Sequence, residues 1–182
     1  MAIWAANIQV EVREISLREK PAHLLQISPK GTVPVLQLPD GTVLEQSLDI
    51  MQWALAQNDP QGWLNADPEA VNALITNNDG DFKKALDRYK YPDRYPEHTQ
   101  AFYREQGEHF LQRLEGALEQ HDYLLGDKAT MADVAIFPFI RQFAAVDPEW
   151  FATHQYQQLR AWLAGWLESP LFAEIMQKIP VT

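Results

Sequence analysis

The sequence predicts a small α/β domain, about residues 1–57, followed by a larger all-helical domain, about residues 65–182. Three observations carry this reading. Ile8, Val10 and Val12 alternate with Gln9, Glu11 and Arg13, and alternation at period two marks a half-buried strand. Asn58-Asp59-Pro60-Gln61-Gly62 has the composition of a linker. Beyond it, apolar residues keep the three- and four-residue spacing of helices almost throughout.

The elements follow in order. Residues 1–6, Met-Ala-Ile-Trp-Ala-Ala, are apolar helix formers with no N-cap before them, so they read as the end of a helix. After the strand at 8–12, Pro21 followed by Ala22-His23-Leu24-Leu25 predicts a short helix with proline in its first turn. Residues 33–38 form a strand with Pro34 at its entrance. Pro39-Asp40-Gly41-Thr42 is a tight turn, and Val43-Leu44-Glu45 returns as the antiparallel partner. Ser47 is then the expected N-cap of a helix that buries Ile50, Met51 and Ala54.

In the second domain a helix is expected over about 68–88, ended by the proline-bearing segment Tyr91 to Pro96. Phe102, Phe110, Leu111, Leu114 and Leu118 keep helical spacing after it. Leu159, Trp162, Leu163, Trp166 and Leu167 form one apolar stripe. Ser169-Pro170 opens a last helix, with Leu171, Phe172, Ile175 and Met176 on its inner side. The most apolar stretch, Met131 to Val146, is interrupted by Asp133, Pro138 and Arg141, so it reads as a buried helix and no membrane span.

Composition narrows the function. Hydrophobic residues at 46% and aromatics at 11% suit a folded globular chain of 182 residues. A formal net charge of −10 argues against nucleic acid or an anionic membrane as partner. With no cysteine, the chain supplies no disulfide, thiolate metal ligand or nucleophilic thiol. That absence and the lack of a signal peptide fit a cytoplasmic location. His23, His98, His109, His121 and His154 form no i, i+4 pair and no His-Glu-x-x-His string, so no metal site is expected.

Three motifs resemble the glutathione S-transferase family, and together they cover nearly the whole chain. Ser28-Pro29-Lys30-Gly31-Thr32-Val33-Pro34-Val35-Leu36 resembles the family's approach to its third strand. Read alone, it is a trans proline on an edge strand. The resemblance implies a cis Pro34, with the Val33 main chain offered to the cysteinyl part of glutathione. Glu45-Gln46-Ser47 resembles the pair that holds the γ-glutamyl end. Read alone, Ser47 is a cap worth about 1 kcal/mol. Leu124-Leu125-Gly126-Asp127-Lys128-Ala129-Thr130-Met131-Ala132-Asp133 resembles the capping box that opens the buried helix of the family's all-α domain, with Thr130 and Asp133 as reciprocal partners. The string from Ser28 to Pro34 and the segment Asp87 to Pro92 are similar to a bacterial branch.

The resemblance implies a thioredoxin-like, glutathione-binding domain at 1–57 and an all-α glutathione S-transferase C-terminal domain at 65–182. It implies glutathione as co-substrate, bound by Lys30, Val33, Pro34, Gln46 and Ser47, with Lys30 meeting the glycyl carboxylate. Tyr89 and Tyr91 are the expected lining of a pocket for a small electrophile, and a homodimer is usual. Family members begin with an interior strand and a turn carrying the catalytic Tyr, Ser or Cys. Met1 here aligns inside the helix that follows, so the first domain is expected to be N-terminally truncated, with no catalytic residue in the chain. A longer native protein would transfer or exchange the glutathione thiol. The alternative is a non-catalytic scaffold of the same fold that binds a protein partner.

Overall fold

The computed structural model describes residues 1–177. It divides into two compact units. One comprises residues 1–61 with the segment from Pro170 onward, and the other comprises residues 62–169.

In the first unit, α1 (Ala2–Ala5) packs on α3 (Ser47–Gln57) and on α10 (Pro170–Ile175), and α2 (Ala22–Ile27) lies between them in sequence. Asn58 Nδ2 donates to the Ala6 carbonyl at 3.0 Å, fastening the end of α3 to the end of α1. The sheet is two short antiparallel strands, β1 (Leu36–Gln37) and β2 (Val43–Leu44), in the register Leu36 opposite Leu44 and Gln37 opposite Val43. Their turn has the expected chemistry: the Asp40 carboxylate accepts the Thr42 N–H at 2.9 Å, and Gly41 takes φ +89°.

The expected strand at 8–12 does not form. Among the described residues, the main chain of 9–13 pairs with no neighbouring strand, and Val10 and Val12 are exposed at 37% and 53%. Alternation makes a strand only where another edge accepts its hydrogen bonds. The strand expected over 33–38 shortens to Leu36–Gln37 for the same reason, since β2 offers only two paired residues. In α10, Leu171, Phe172 and Ile175 are half-buried and Met176 is exposed at 49%. That helix therefore covers the unit's surface and contributes no buried core residue.

The second unit is built from α4 (Pro68–Asn77), α5 (Lys83–Lys90), α6 (Gln100–Leu118), α7 (Met131–Val146), α8 (Pro148–Thr153) and α9 (Gln157–Leu167). The helix expected over 68–88 is broken. Asn78–Phe82 forms a π turn in which Gly80 leaves helical geometry (φ −86°, ψ −105°), because Asn, Asp and Gly in succession favour local turns over helix. Helix α8 adds an element to those the apolar spacing predicts. Its signal is the Asp147 cap, which accepts the Trp150 N–H at 3.0 Å, followed by Pro148 at the first helical position.

Aromatic rings fill this unit's interior. Phe82 stacks on Phe143 at 5.6 Å and contacts Phe110 at 4.8 Å, and Tyr89 meets Phe143 at 4.9 Å. Each such ring contributes roughly 1.5–3 kcal/mol by leaving water. Gly107 makes the packing of α6 possible, since a Cβ there would lie 2.5 Å from Phe143. Two predicted core positions face out instead: Phe102 is 37% and Leu167 is 39% exposed. Tyr103 is the inward ring at the start of α6.

Asp133 ties this unit together. Fully buried, it accepts from the Thr130 N–H and hydroxyl at 2.9 Å, from the Leu124 N–H at 3.0 Å and from Trp162 Nε1 at 2.9 Å. The reciprocal capping box at Thr130 is present. Burial holds the Asp133 carboxyl above its ordinary value of 3.8, against those hydrogen bonds.

Candidate functional site

Lys30, Val33, Pro34, Gln46 and Ser47 lie in two segments of the first unit, which Glu45 joins. Glu45, the residue before Gln46, accepts a hydrogen bond from the Ser28 hydroxyl at 2.6 Å and lies 3.6 Å from Lys30 Nζ. Ser28 is fully buried, so the 28–30 turn and the 45–47 turn are held at one place. The Ser28 hydroxyl first, and the Lys30 ammonium second, hold the Glu45 carboxyl below its ordinary value, against a small opposing effect of burial.

Each of the two segments carries a backbone feature next in sequence to this contact. The Val33–Pro34 peptide bond is cis, and Val33 is 47% exposed. Among the described residues, neither the Val33 N–H nor its carbonyl has a partner. The other feature is the start of α3. Gln46, extended at φ −118° and ψ 136°, is the residue before the helix, and Ser47 is its first helical residue. The expectation of Ser47 as N-cap is thereby corrected by one position. Neither side chain caps the helix, and both are exposed. The first turn of α3 thus presents uncapped N–H groups beside two polar side chains, an arrangement that attracts a carboxylate.

The two tyrosines expected in a substrate pocket have different fates. Tyr91 is 38% exposed, with the Arg94 guanidinium 4.5 Å and the Lys90 ammonium 5.1 Å from its ring centre. Tyr89 is 2% exposed and packs in the core on Phe143. Burial pushes its phenol up, and its hydroxyl has no hydrogen-bond partner among the described residues. Its period along α5 places it inward. The aromatic identity suggested a pocket, and the helical spacing to Leu86 and Phe82 was the signal for core. Among the described residues, no group of three or more His, Asp or Glu side chains is placed to hold a metal ion. No helix there is long and apolar enough to cross a membrane.

A small α/β unit with a cis proline, joined in sequence to an all-helical bundle, defines a two-part α/β plus all-α architecture. Comparison with known proteins gives it a family. Residues 1–57 match the glutathione S-transferase N-terminal domain and residues 69–165 match its C-terminal domain, so the chain belongs to the glutathione S-transferase family. The chain is 32% identical over 129 residues to glutathione S-transferase GstA of Escherichia coli O157:H7, covering 66% of this chain and 61% of that protein. It is 25% identical over 178 residues to glutathione S-transferase omega-1 of Mus musculus, covering 94% of this chain and 71% of that one. The chain therefore spans about three fifths to seven tenths of these relatives' lengths.

Among solved structures, the ternary complex of BphK, a bacterial member, has the same fold with a TM-score of 0.82 at 22% identity, covering 97% of this chain and 90% of that one. A sphingomonad glutathione S-transferase complexed with glutathione superposes with a TM-score of 0.80 at 21% identity, covering 97% of this chain and 90% of that one.

Proposed function

We propose that the first unit binds glutathione. The γ-glutamyl carboxylate sits at the start of α3 beside Gln46 and Ser47. The cysteinyl amide pairs with the free main chain of Val33 next to Pro34, and the glycyl carboxylate approaches Lys30. The observation that carries this reading is the uncapped first turn of α3, because a helix start of partial positive charge stabilises an anion placed against it. The unpartnered Val33 main chain supports it, since an extended backbone recognises a peptide-like ligand by pairing with it. So does the sphingomonad relative, which is complexed with glutathione.

In this reading residues 1–57 are the thioredoxin-like glutathione domain and residues 65–182 the helical domain of a cytoplasmic homodimer. Its parent activity is conjugation of glutathione to a small electrophile, or thiol exchange with a disulfide. Tyr91 is the exposed aromatic offered to the electrophile. No side chain of this chain is assigned the role of activating the thiol. Lowering a thiol pKa by two units at neutral pH is worth about 2.7 kcal/mol, and Ser47 and Thr32 are given no part in it.

The test is isothermal titration of the chain with reduced glutathione, beside Ser47→Ala and Gln46→Ala. Each substitution is expected to weaken binding about tenfold, the loss of one hydrogen bond to a charged group, with unchanged circular dichroism. A chain that releases no heat at about 10 mM glutathione, far above the concentration a site of this kind needs, would overturn the reading. It would leave the fold as a scaffold for a protein partner.

A further inference from the structure

The helical unit holds a cleft of about 370 Å³ between α5 and α6, a volume in the range of small-molecule sites. Asp81, Lys84 and Arg88 line one wall, and Gln106, His109 and Arg113 line the other. Each set steps along the chain by three and then four residues, so two stripes meet across the cleft. Its floor is the buried pair Phe82 and Phe110, with ring centres 4.8 Å apart, and the buried ring of Tyr103.

Charge sets this cleft apart. The chain carries 25 acidic residues against 15 basic ones, yet the lining holds three fixed cations and one carboxylate. That carboxylate, Asp81, lies 3.6 Å from Lys84 Nζ and offsets it. Arg88 and Arg113 remain, and among the described residues neither pairs with a carboxylate. Glu97 accepts from the Tyr103 hydroxyl at 3.3 Å and stands outside the lining.

The two arginines are set apart along the cleft. The Arg88 guanidinium is held over the Tyr95 and Tyr103 rings, 5.6 and 5.8 Å from their centres. Because Tyr103 lines the cleft, these contacts place the charged end of Arg88 there. Arg113 follows Tyr103 on α6 by about 15 Å along the helix axis. The arginines thus mark opposite ends, with Gln106 and His109 between them.

A guanidinium without a carboxylate is a ready fork for an oxyanion. We propose that this cleft binds a small, elongated dianion, with one phosphate or carboxylate group on Arg88 and the other on Arg113. The ligand's spacer crosses the Phe82–Phe110 floor, and Gln106 and His109 offer hydrogen bonds to polar groups on it. The site lies wholly in the second unit and needs nothing from the glutathione corner.

The test titrates the ¹⁵N-labelled chain, at low ionic strength, with 1,6-hexanediol bisphosphate, suberate and hexyl phosphate, following the arginine Nε–H resonances. The Arg88 and Arg113 resonances are expected to shift and saturate with a two-headed probe, at a Kd on the order of 1 mM. Binding of the bisphosphate alone marks a phosphate ligand, and binding of suberate alone marks a carboxylate one. Hexyl phosphate, with a single anionic group, is expected to bind about tenfold more weakly. Arg88→Gln and Arg113→Gln are each expected to bring the two-headed probe down to that level, with unchanged circular dichroism. Arg18→Gln makes an equal charge change on the exposed surface of the first unit and is expected to leave binding as it is. So is Ser47→Ala, at the proposed glutathione corner. No saturable shift up to about 20 mM of either two-headed probe overturns the proposal. So does hexyl phosphate binding as tightly as they do, or an Arg18→Gln chain weakened as much as Arg113→Gln.

Discussion

Helices α3 and α9 begin in opposite ways. At the start of α9, the buried Glu115 carboxylate reaches across from α6 and accepts the N–H groups of Gln158 and Leu159 at 2.9 and 2.7 Å. Elsewhere in the helical unit, Asp67 caps α4, Thr99 caps α6, Asp147 caps α8 and the Thr130–Asp133 box caps α7. Helix α3, in the α/β unit, starts with no side-chain cap at all. The helical unit closes most of its helix starts with its own side chains, whereas α1, α2 and α3 of the α/β unit have no side-chain cap, α3 being the longest of them. The free donors of a helix end need a partner, and the start of α3 is where the proposed glutathione carboxylate would supply one. Their interiors differ in the same sense. Among the described residues, the buried apolar residues of the α/β unit are Ala2, Ala5, Ala6, Leu24, Ile50, Ala54 and Leu55, without one aromatic ring, while the helical unit packs ring on ring. The aromatic core stands in the helical unit, and the exposed Gln46 and Ser47 stand in the other.

If the closed helix starts are what hold the helical unit, removing the most connected one has the largest effect. Asp133→Ala strands the N–H groups of Leu124 and Thr130 and the Trp162 indole. At about 1–3 kcal/mol for each stranded donor, partly relaxed, the expected loss is about 3–5 kcal/mol, read as a fall in the urea midpoint. A loss under about 1 kcal/mol would mean that water replaces Asp133 and that the closed starts matter little.

The entry to α9 offers a milder probe through pH. Tyr156, buried at 1% exposure, donates its hydroxyl to Glu108 at 2.7 Å. Burial first, and Glu108 second, push its phenol from the ordinary 10.0 up to about 12. The folded state therefore holds this proton more tightly than the unfolded chain. Its contribution to stability is complete below pH 10 and is lost as pH rises toward about 12. Spectrophotometric titration should show one tyrosine ionising about two pH units later than exposed ones, and Tyr156→Phe should remove that late step. A Tyr156 that titrates with the rest would show the α9 entry to be open in solution.

Much of this contrast is legible in the sequence, and the misses have physical causes. The Thr130–Asp133 box is read directly because capping is local, three residues apart. Helix α7 has the bounds its apolar run suggests, Met131 to Val146. Glu115 as the cap of α9 is invisible beforehand, since its partners lie 43 and 44 residues away. The same holds for the Ser28–Glu45 bond, 17 residues apart, which sets the proposed glutathione corner. Alternation at 8–12 misleads because a strand is a property of two segments and the sequence pattern shows only one. The break at Asn78–Phe82 was written in Asn-Asp-Gly-Asp, and the flanking apolar period obscured it.

The sharpest test converts the open start into a closed one. Gln46→Asp places a carboxylate at the residue before α3, where its oxygen can accept the second or third N–H of the helix. If that start is merely uncapped, the change stabilises the chain by about 0.5–1 kcal/mol, seen as a higher thermal midpoint. If it is also where the γ-glutamyl carboxylate binds, the same change places a fixed negative charge against the ligand, and glutathione affinity falls about tenfold or more. Stability and binding then move in opposite directions from one substitution, which loss of structure cannot produce. A rise in stability with unchanged affinity would separate the open helix start from the ligand and move the glutathione carboxylate elsewhere.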